Sequence, residues 1–351
     1  MLQGHQTWVF ANKPVIQSSA AIGGPFEAQG PLADDFDTLH SDLTIGQDSW
    51  EKAERTLLEE ACDKAIEKAG LTKEKINFLL AGDLMNQIVS SSFGARTLTI
   101  PFIGMFGACS TAMETLAVAS LIIDSQAADY VLAATCSHNA SAEKQYRYPT
   151  EYGSQKPPTA QWTVTAAGAA VVGREDQERD DEPAGKGDDR EDRLRLRVTS
   201  ATIGRVVDMG LNDPFNMGAA MAPAAFNTIE SHFRDRRLPP DYYDLIVTGD
   251  LGRVGHSILS DLLRKHETGI PLDRYQDCGI MIYGENPNVW SGGSGCGCSA
   301  AVTYGHLFRR MRQGELKRLL VVATGALLSP LTYQQGETIP CIAHAVSIES
   351  D

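Results

Sequence analysis

Cys109, in GACSTA at 107–112, is the residue of this sequence best placed to do chemistry. An apolar run at 101–106 reads as a short buried strand, Gly107 and Ala108 make a tight turn, and an almost wholly apolar helix follows. Cys109 is thus expected at the mouth of a buried helix, where unpaired N–H groups and the positive end of the dipole converge. Such a setting lowers a thiol pKa and holds anions. It allows a nucleophilic thiol or an anion-binding pocket; the plainer alternative is a small buried residue beside a turn.

Further candidates sit at strand ends and helix starts. Asp83 and Asp250 each close an apolar strand in Gly-Asp-Leu. They could accept from a protonated ligand, orient a donor, face a chelated calcium, or simply cap the next helix. His138 and Asn139 follow the apolar strand at 130–135 and can donate side-chain hydrogen bonds. Ser110 shares the turn of Cys109. Lys144 and Arg147 can supply charge at a pocket rim or lie in a solvated loop, and Arg253 can pair with Asp250. Cys296 and Cys298, in SGGSGCGCSA at 291–300, lack the second ligand pair of a zinc site, so no metal is expected.

These residues need a scaffold. Residues 1–48 are rich in Gly and Pro with little periodicity and read as an extended entry segment of short strands and loops. A helix is expected at 50–69, with Asp48 or Ser49 as N-cap and Gly70 as stop. Strands are expected at 76–81, 130–135, 162–173, 194–203, 243–248, 319–324 and 341–348, with helices at 217–237, 254–266 and 298–312. The charged run at 174–193 reads as a solvated excursion; EF-hand spacing is absent from it.

Bulk properties narrow the function. The 351 residues carry a net charge of -14, which disfavours nucleic acid and an anionic membrane surface as partners. Seven scattered cysteines suit a reduced compartment rather than a disulfide framework. The first residues lack the pattern of a signal peptide, and no apolar run is long enough for a transmembrane segment.

The second half echoes the first. LAGDL at 80–84 matches VTGDL at 247–251, and ACSTA at 108–112 matches GCSAA at 297–301. Setting Cys109 against Cys298 places Thr135 against Thr324 without a gap. The repeat implies two duplicated βαβ-type halves with parallel sheets covered on both faces, related by a pseudo-twofold that brings the two helix starts to one pocket. The boundaries are 1–173 for the N-terminal half, 174–193 for the acidic excursion and 194–351 for the C-terminal half.

This arrangement is similar to the thiolase-like fold, an α/β body of two duplicated halves in five α/β/α/β/α layers. More specifically, GPFEAQGPLADDFD (24–37), AGDLMNQ (81–87), FGACSTAMETL (106–116), TCSHNASAEKQYRYPTEYG (135–153), VTSATIGRVVDMG (198–210) and SGGSGCGCSA (291–300) resemble the stage V sporulation protein AD family over nearly the whole chain. The resemblance implies binding of dipicolinic acid (pyridine-2,6-dicarboxylate) for uptake into the forming spore. It also implies a peripheral place at the spore inner membrane, in a complex whose other subunits supply the membrane spans. The ligand set then expected is Asp83, Cys109, Ser110, His138, Asn139, Arg147, Asp250, Cys296 and Cys298, with calcium entering only as the dipicolinate chelate and no cofactor. Thiolase relatives pair along a central strand, so a homodimer is expected. Condensing enzymes of this fold back their cysteine with a His and a second His or Asn from the second half. Here those places read TGDLG (248–252) and GCGC (295–298), and His256 lies one helical turn further on. The expectation is a catalytically silent binder; an acyltransferase using Cys109 on a coenzyme A thioester is the alternative.

Overall fold

The structure is a computed structural model that describes residues 1–146, 156–175 and 194–351. Arg147 and residues 176–193 of the acidic run fall outside the described residues. The first half supplies β1 (Val15–Gly23), β2 (Phe78–Gly82), β3 (Phe102–Gly104), β4 (Tyr130–Ser137) and β5 (Ala166–Gly173), ordered β1-β5-β4-β2-β3. The second supplies β6 (Leu196–Thr202), β7 (Leu245–Thr248), β8 (Tyr275–Asp277), β9 (Arg318–Ala326) and β10 (Cys341–Ser350), ordered β6-β10-β9-β7-β8.

Order and sense repeat strand for strand. β5 runs antiparallel to β1 and β4, while β4, β2 and β3 are parallel. β10 runs antiparallel to β6 and β9, while β9, β7 and β8 are parallel. The duplication is therefore real, but the sheets are mixed rather than parallel, because β5 and β10 return against their neighbours. The two sheets meet edge to edge where Ile16 lies opposite Leu196 and Val15 opposite Arg197, and the short strand Thr7–Val9 of the entry segment pairs with β6 beside them.

Helices complete five layers. In chain order they are α1 (Trp50–Lys68), α2 (Val89–Leu98), α3 (Thr111–Asp124), α4 (Asn139–Tyr146), α5 (Met217–Arg236), α6 (Gly252–Lys265), α7 (Cys278–Tyr283) and α8 (Cys296–Ala301). α8 runs on through a π-helical turn, Val302–Leu307, into Phe308–Arg312. α1 and α2 pack on the outer face of the first sheet, and α5 and α6 on that of the second. α3 and α8 lie between the sheets and are apolar on nearly every side. At α1, the Ser49 side chain accepts the Lys52 amide at 3.3 Å, and Gly70 stops the helix at φ +68°.

Two elements differ from their sequence readings. The entry segment contains β1, a nine-residue buried strand. Its period is hidden by Ser18 and Ser19, whose hydroxyls are satisfied internally by the carbonyls of Ala65 (2.6 Å) and Tyr304 (2.8 Å). The apolar run at 101–106 forms β3, which is not buried but is the outer strand of its sheet, with Ile103 and Gly104 exposed. Among the described residues no helix is long and apolar enough to cross a membrane.

The contact between β2 and the approach to Cys109 leaves no room for a side chain. A Cβ on Gly82 would fall 1.9 Å from the Met105 carbonyl oxygen. Gly82→Ala should therefore cost about 3 kcal/mol of stability, read as a lower midpoint in urea denaturation. An unchanged midpoint would refute this packing.

Candidate functional site

Cys109 is 7% exposed and stands two residues before α3. Ala108, just before it, holds φ +50°, a conformation that costs a non-glycine residue energy and turns the chain sharply into the helix. The turn is braced from within. The Ser110 hydroxyl donates to the Gly107 carbonyl (2.6 Å), and the Thr111 hydroxyl donates to the Ala108 carbonyl (2.7 Å) while accepting the Gly107 amide (3.1 Å). The amides of Ser110 and Thr111 go to Gly107 and Ala108, and those of Met113 and Glu114 to Ser110. Ser110 is thus a brace of the turn, and most of the donors expected for an anion are spent on it. Gly325 of β9 presses on this turn: a Cβ there would lie 2.3 Å from the Gly107 oxygen.

Asp250 faces Cys109. Its carboxylate accepts the Thr324 hydroxyl at 2.6 Å and the Gly295 amide at 3.0 Å, and the Cys109 thiol is near enough to feel its charge. Asp250 does not cap α6. That task falls to Asp277, which accepts the Leu251 amide (2.8 Å), the Gly252 amide (3.0 Å) and the Thr248 hydroxyl (2.8 Å). Gln161 ties the Asp250 carbonyl (2.5 Å) to that of Gly293 (3.1 Å). Burial pushes the Asp250 carboxyl up to about 7. Burial first, and then the Asp250 charge, push the Cys109 thiol well above its ordinary value. The lowered thiol pKa expected from the helix start is overturned: desolvation and a neighbouring carboxylate outweigh the dipole.

The other candidates divide. Cys296 packs in one small cluster with Cys109, Leu84 and Met85, and its thiol donates to the Cys136 carbonyl at 2.9 Å. Cys298, the counterpart of Cys109 in the repeat, is sealed in the central layer with its thiol 3.6 Å from the Gly249 carbonyl. Asp83 accepts the amides of Met85 (2.8 Å) and Ser91 (2.7 Å), so it caps its loop and the start of α2. His138 is committed at both ring nitrogens: Nε2 bonds the Leu43 carbonyl at 2.8 Å, and Nδ1 accepts the Ala140 amide at 3.1 Å. Burial lowers its pKa, which suits this neutral tautomer. Asn139 reaches the backbone carbonyl of Thr163 (3.3 Å) rather than a cavity. Lys144 pairs with Glu51 at 2.6 Å, and Arg253 with Glu285 at 3.2 Å instead of Asp250. His256, on α6, stacks on Tyr275. Arg147 lies outside the described residues.

Sequence reasoning passed over Asp277, Gln161 and Glu54. Glu54 is a fully buried acid on α1 that accepts the Ser141 hydroxyl beside Cys136 and is pushed well up, chiefly by burial. Nothing in an otherwise amphipathic helix marks it. Thr324 did have a signal, since the repeat sets it opposite Thr135. Among the described residues no group of three or more His, Cys, Asp or Glu could hold a metal.

The Cys109–Asp250 contact makes a direct test available. Removing the charge with Asp250→Asn should lower the thiol pKa and speed alkylation of Cys109 by iodoacetamide several-fold at pH 8, followed by peptide mass spectrometry. Equal rates in both proteins would show that Asp250 does not govern the thiol.

Comparison with known proteins gives the context. The family model for stage V sporulation protein AD matches residues 4–349. Stage V sporulation protein AD of Bacillus subtilis (strain 168) is 51% identical over 349 residues, which cover 99% of this chain and 98% of that protein. Among solved structures, 3-oxoacyl-[acyl-carrier-protein] synthase III from Aquifex aeolicus VF5 superposes with TM-score 0.57 at 16% identity, covering 96% of this chain and 99% of its own. Cerulenin-bound OleA of Xanthomonas campestris superposes with TM-score 0.61 at 13% identity, covering 97% of each chain. At these identities the likeness to the two enzymes shows the fold alone, which is thiolase-like. Carried by a match along nearly its whole length, the chain belongs to the stage V sporulation protein AD family.

Proposed function

We propose that the chain is a catalytically silent subunit that binds dipicolinate at the Cys109 site and serves its uptake into spores. The observation that carries this reading is the contact of Cys109 with a carboxyl group where a condensing enzyme needs an imidazole. A thiol whose neighbour is Asp250 is held protonated, and it lacks the positive electrostatic support that breaking a thioester requires. Membership of a sporulation family supports a ligand of the forming spore, which we take to be dipicolinate. The small cluster of Leu84, Met85 and Cys296 around Cys109, partly lined by Val89, Tyr146 and Leu327, is the apolar wall against which a planar pyridine ring would rest. In this reading the protein works peripherally at the spore inner membrane beside integral membrane subunits of the same complex.

The second reading, acyl transfer through Cys109, draws on the retained cysteine and its strained turn. Two measurements separate the readings. Calorimetric titration with dipicolinate should show saturable binding that Cys109→Ala and Asp250→Asn each alter at least several-fold. Incubation with acetyl-coenzyme A followed by intact-mass analysis should leave Cys109 unmodified. An acyl adduct on Cys109 would favour the enzyme, and absent binding would sink the first reading.

The proposal also includes self-pairing through β3. Beyond its bond to β2, that strand has no further neighbour among the described strands, and Phe93, Ile103 and Phe106 stand 45%, 42% and 49% exposed beside it. An unpaired apolar edge is a template for a second strand. Sedimentation should therefore give a dimer that Ile103→Lys with Phe106→Glu converts to monomer; a monomeric parent protein would rule the pairing out.

A further inference from the structure

Resting on the dipicolinate reading, a consequence follows from the charges around Asp250. Among the described residues the hydrogen bonds to its carboxylate come from neutral donors, the Thr324 hydroxyl and the Gly295 amide, and the nearby Cys109 thiol is neutral too. The ionisable groups acting on or through it from neighbouring elements are acidic. Asp277, on β8, raises it, and the Cys278, Cys298 and Cys341 thiols on α7, α8 and β10 sense its charge. His344 on β10 is pushed down to about 4 by burial and is neutral. Among the described residues, the cations nearest in sequence to the site each face an acid of their own: Lys144 faces Glu51 (2.6 Å), Lys156 faces Glu143 (2.7 Å) and Arg253 faces Glu285 (3.2 Å). Asp83 and Glu54, both fully buried, act on the Cys296 thiol and add no positive charge.

A dianion placed against Cys109 therefore stands close to Asp250, with little fixed positive charge around it among the described residues. Like charges at that separation in a buried setting cannot both persist cheaply, and the group that can give way is the one that titrates. We propose that a dicarboxylate binding beside Cys109 is taken up together with one proton, which Asp250 carries, so that affinity falls as the solution becomes more alkaline. The carboxylates of the ligand ionise in the acid range and do not change near neutrality, so the proton belongs to the protein. Free Asp250 titrates near 7; bound anion raises that value further. Between the two values the complex holds more protons than the free protein, and affinity is lost with rising pH. Calcium cancels the charge of the ligand and removes the reason for the uptake.

Calorimetry on the full chain tests this with dipicolinate as probe, in phosphate and in Tris at matched pH. The expected result is uptake approaching one proton per site at pH 7.5 to 8, and an affinity that falls by up to about tenfold per pH unit above 7. Asp250→Asn should flatten both. Thr324→Val removes a donor that favours the charged carboxylate, together with the acceptor of the Asp250 amide (3.2 Å), and should move the break to higher pH. Equimolar calcium should abolish the uptake. Saturable binding with no proton exchange, or uptake that persists in Asp250→Asn or with calcium, overturns the coupling while leaving the binding reading intact. No saturable heat at any pH overturns both.

Discussion

The structure turns on one buried carboxyl group set against one buried thiol across the boundary between two halves. Asp250 comes from the end of β7, Cys109 from the turn before α3, and Thr324 and Gly295 fix the carboxylate from two further elements. Low-dielectric surroundings make this contact decisive in either protonation state. With a charge on Asp250, the thiol keeps its proton. Without one, the site becomes a neutral, hydrogen-bonding wall.

The duplication shows how the site diverged. Asp83 and Asp250 occupy equivalent places just past the ends of β2 and β7, as do Thr135 and Thr324 within β4 and β9. In the first half Asp83 caps the following loop and helix, and the Thr135 hydroxyl bonds the Gly82 carbonyl at 2.6 Å. In the second half Asp277 has taken over capping, which frees Asp250 to turn inward and receive Thr324. One half kept the structural use of its acid, and the other moved it into the site.

Much of this was legible in the residues. Buried strands and the apolar central helices announce themselves through continuous hydrophobic runs, and the repeated Gly-Asp-Leu and Cys-Ser segments expose the duplication. β1 was hidden because two serines interrupt its apolar pattern and find partners only in the folded protein. β3 looked buried because a strand at a sheet edge can be as apolar as one inside. Cys109, Cys296 and Asp250, singled out by their places at helix and strand ends, stand together in the fold. The others are turned elsewhere for a common reason: spacing shows where a side chain starts but not what it meets. His138 and Asn139 turn to backbone carbonyls, Asp83 to amides, and Cys298 into the core. Asp277 and Glu54 carry no local signal, since a single acid in an ordinary segment reads as solvated.

The meagre seam between the sheets has a consequence for biosynthesis. Two residue pairs join β1 to β6 and three more join Thr7–Val9 to it, whereas α3 and α8 are gripped by both sheets at once. The inner face of the first sheet, together with α3, is therefore covered only when the second half arrives. As the chain leaves the ribosome, the N-terminal portion must wait with a broad greasy surface open to water, a condition that invites aggregation and the attention of chaperones. Cohesion here is supplied by the filling rather than by the stitching, so the two portions should be lost together when the protein melts.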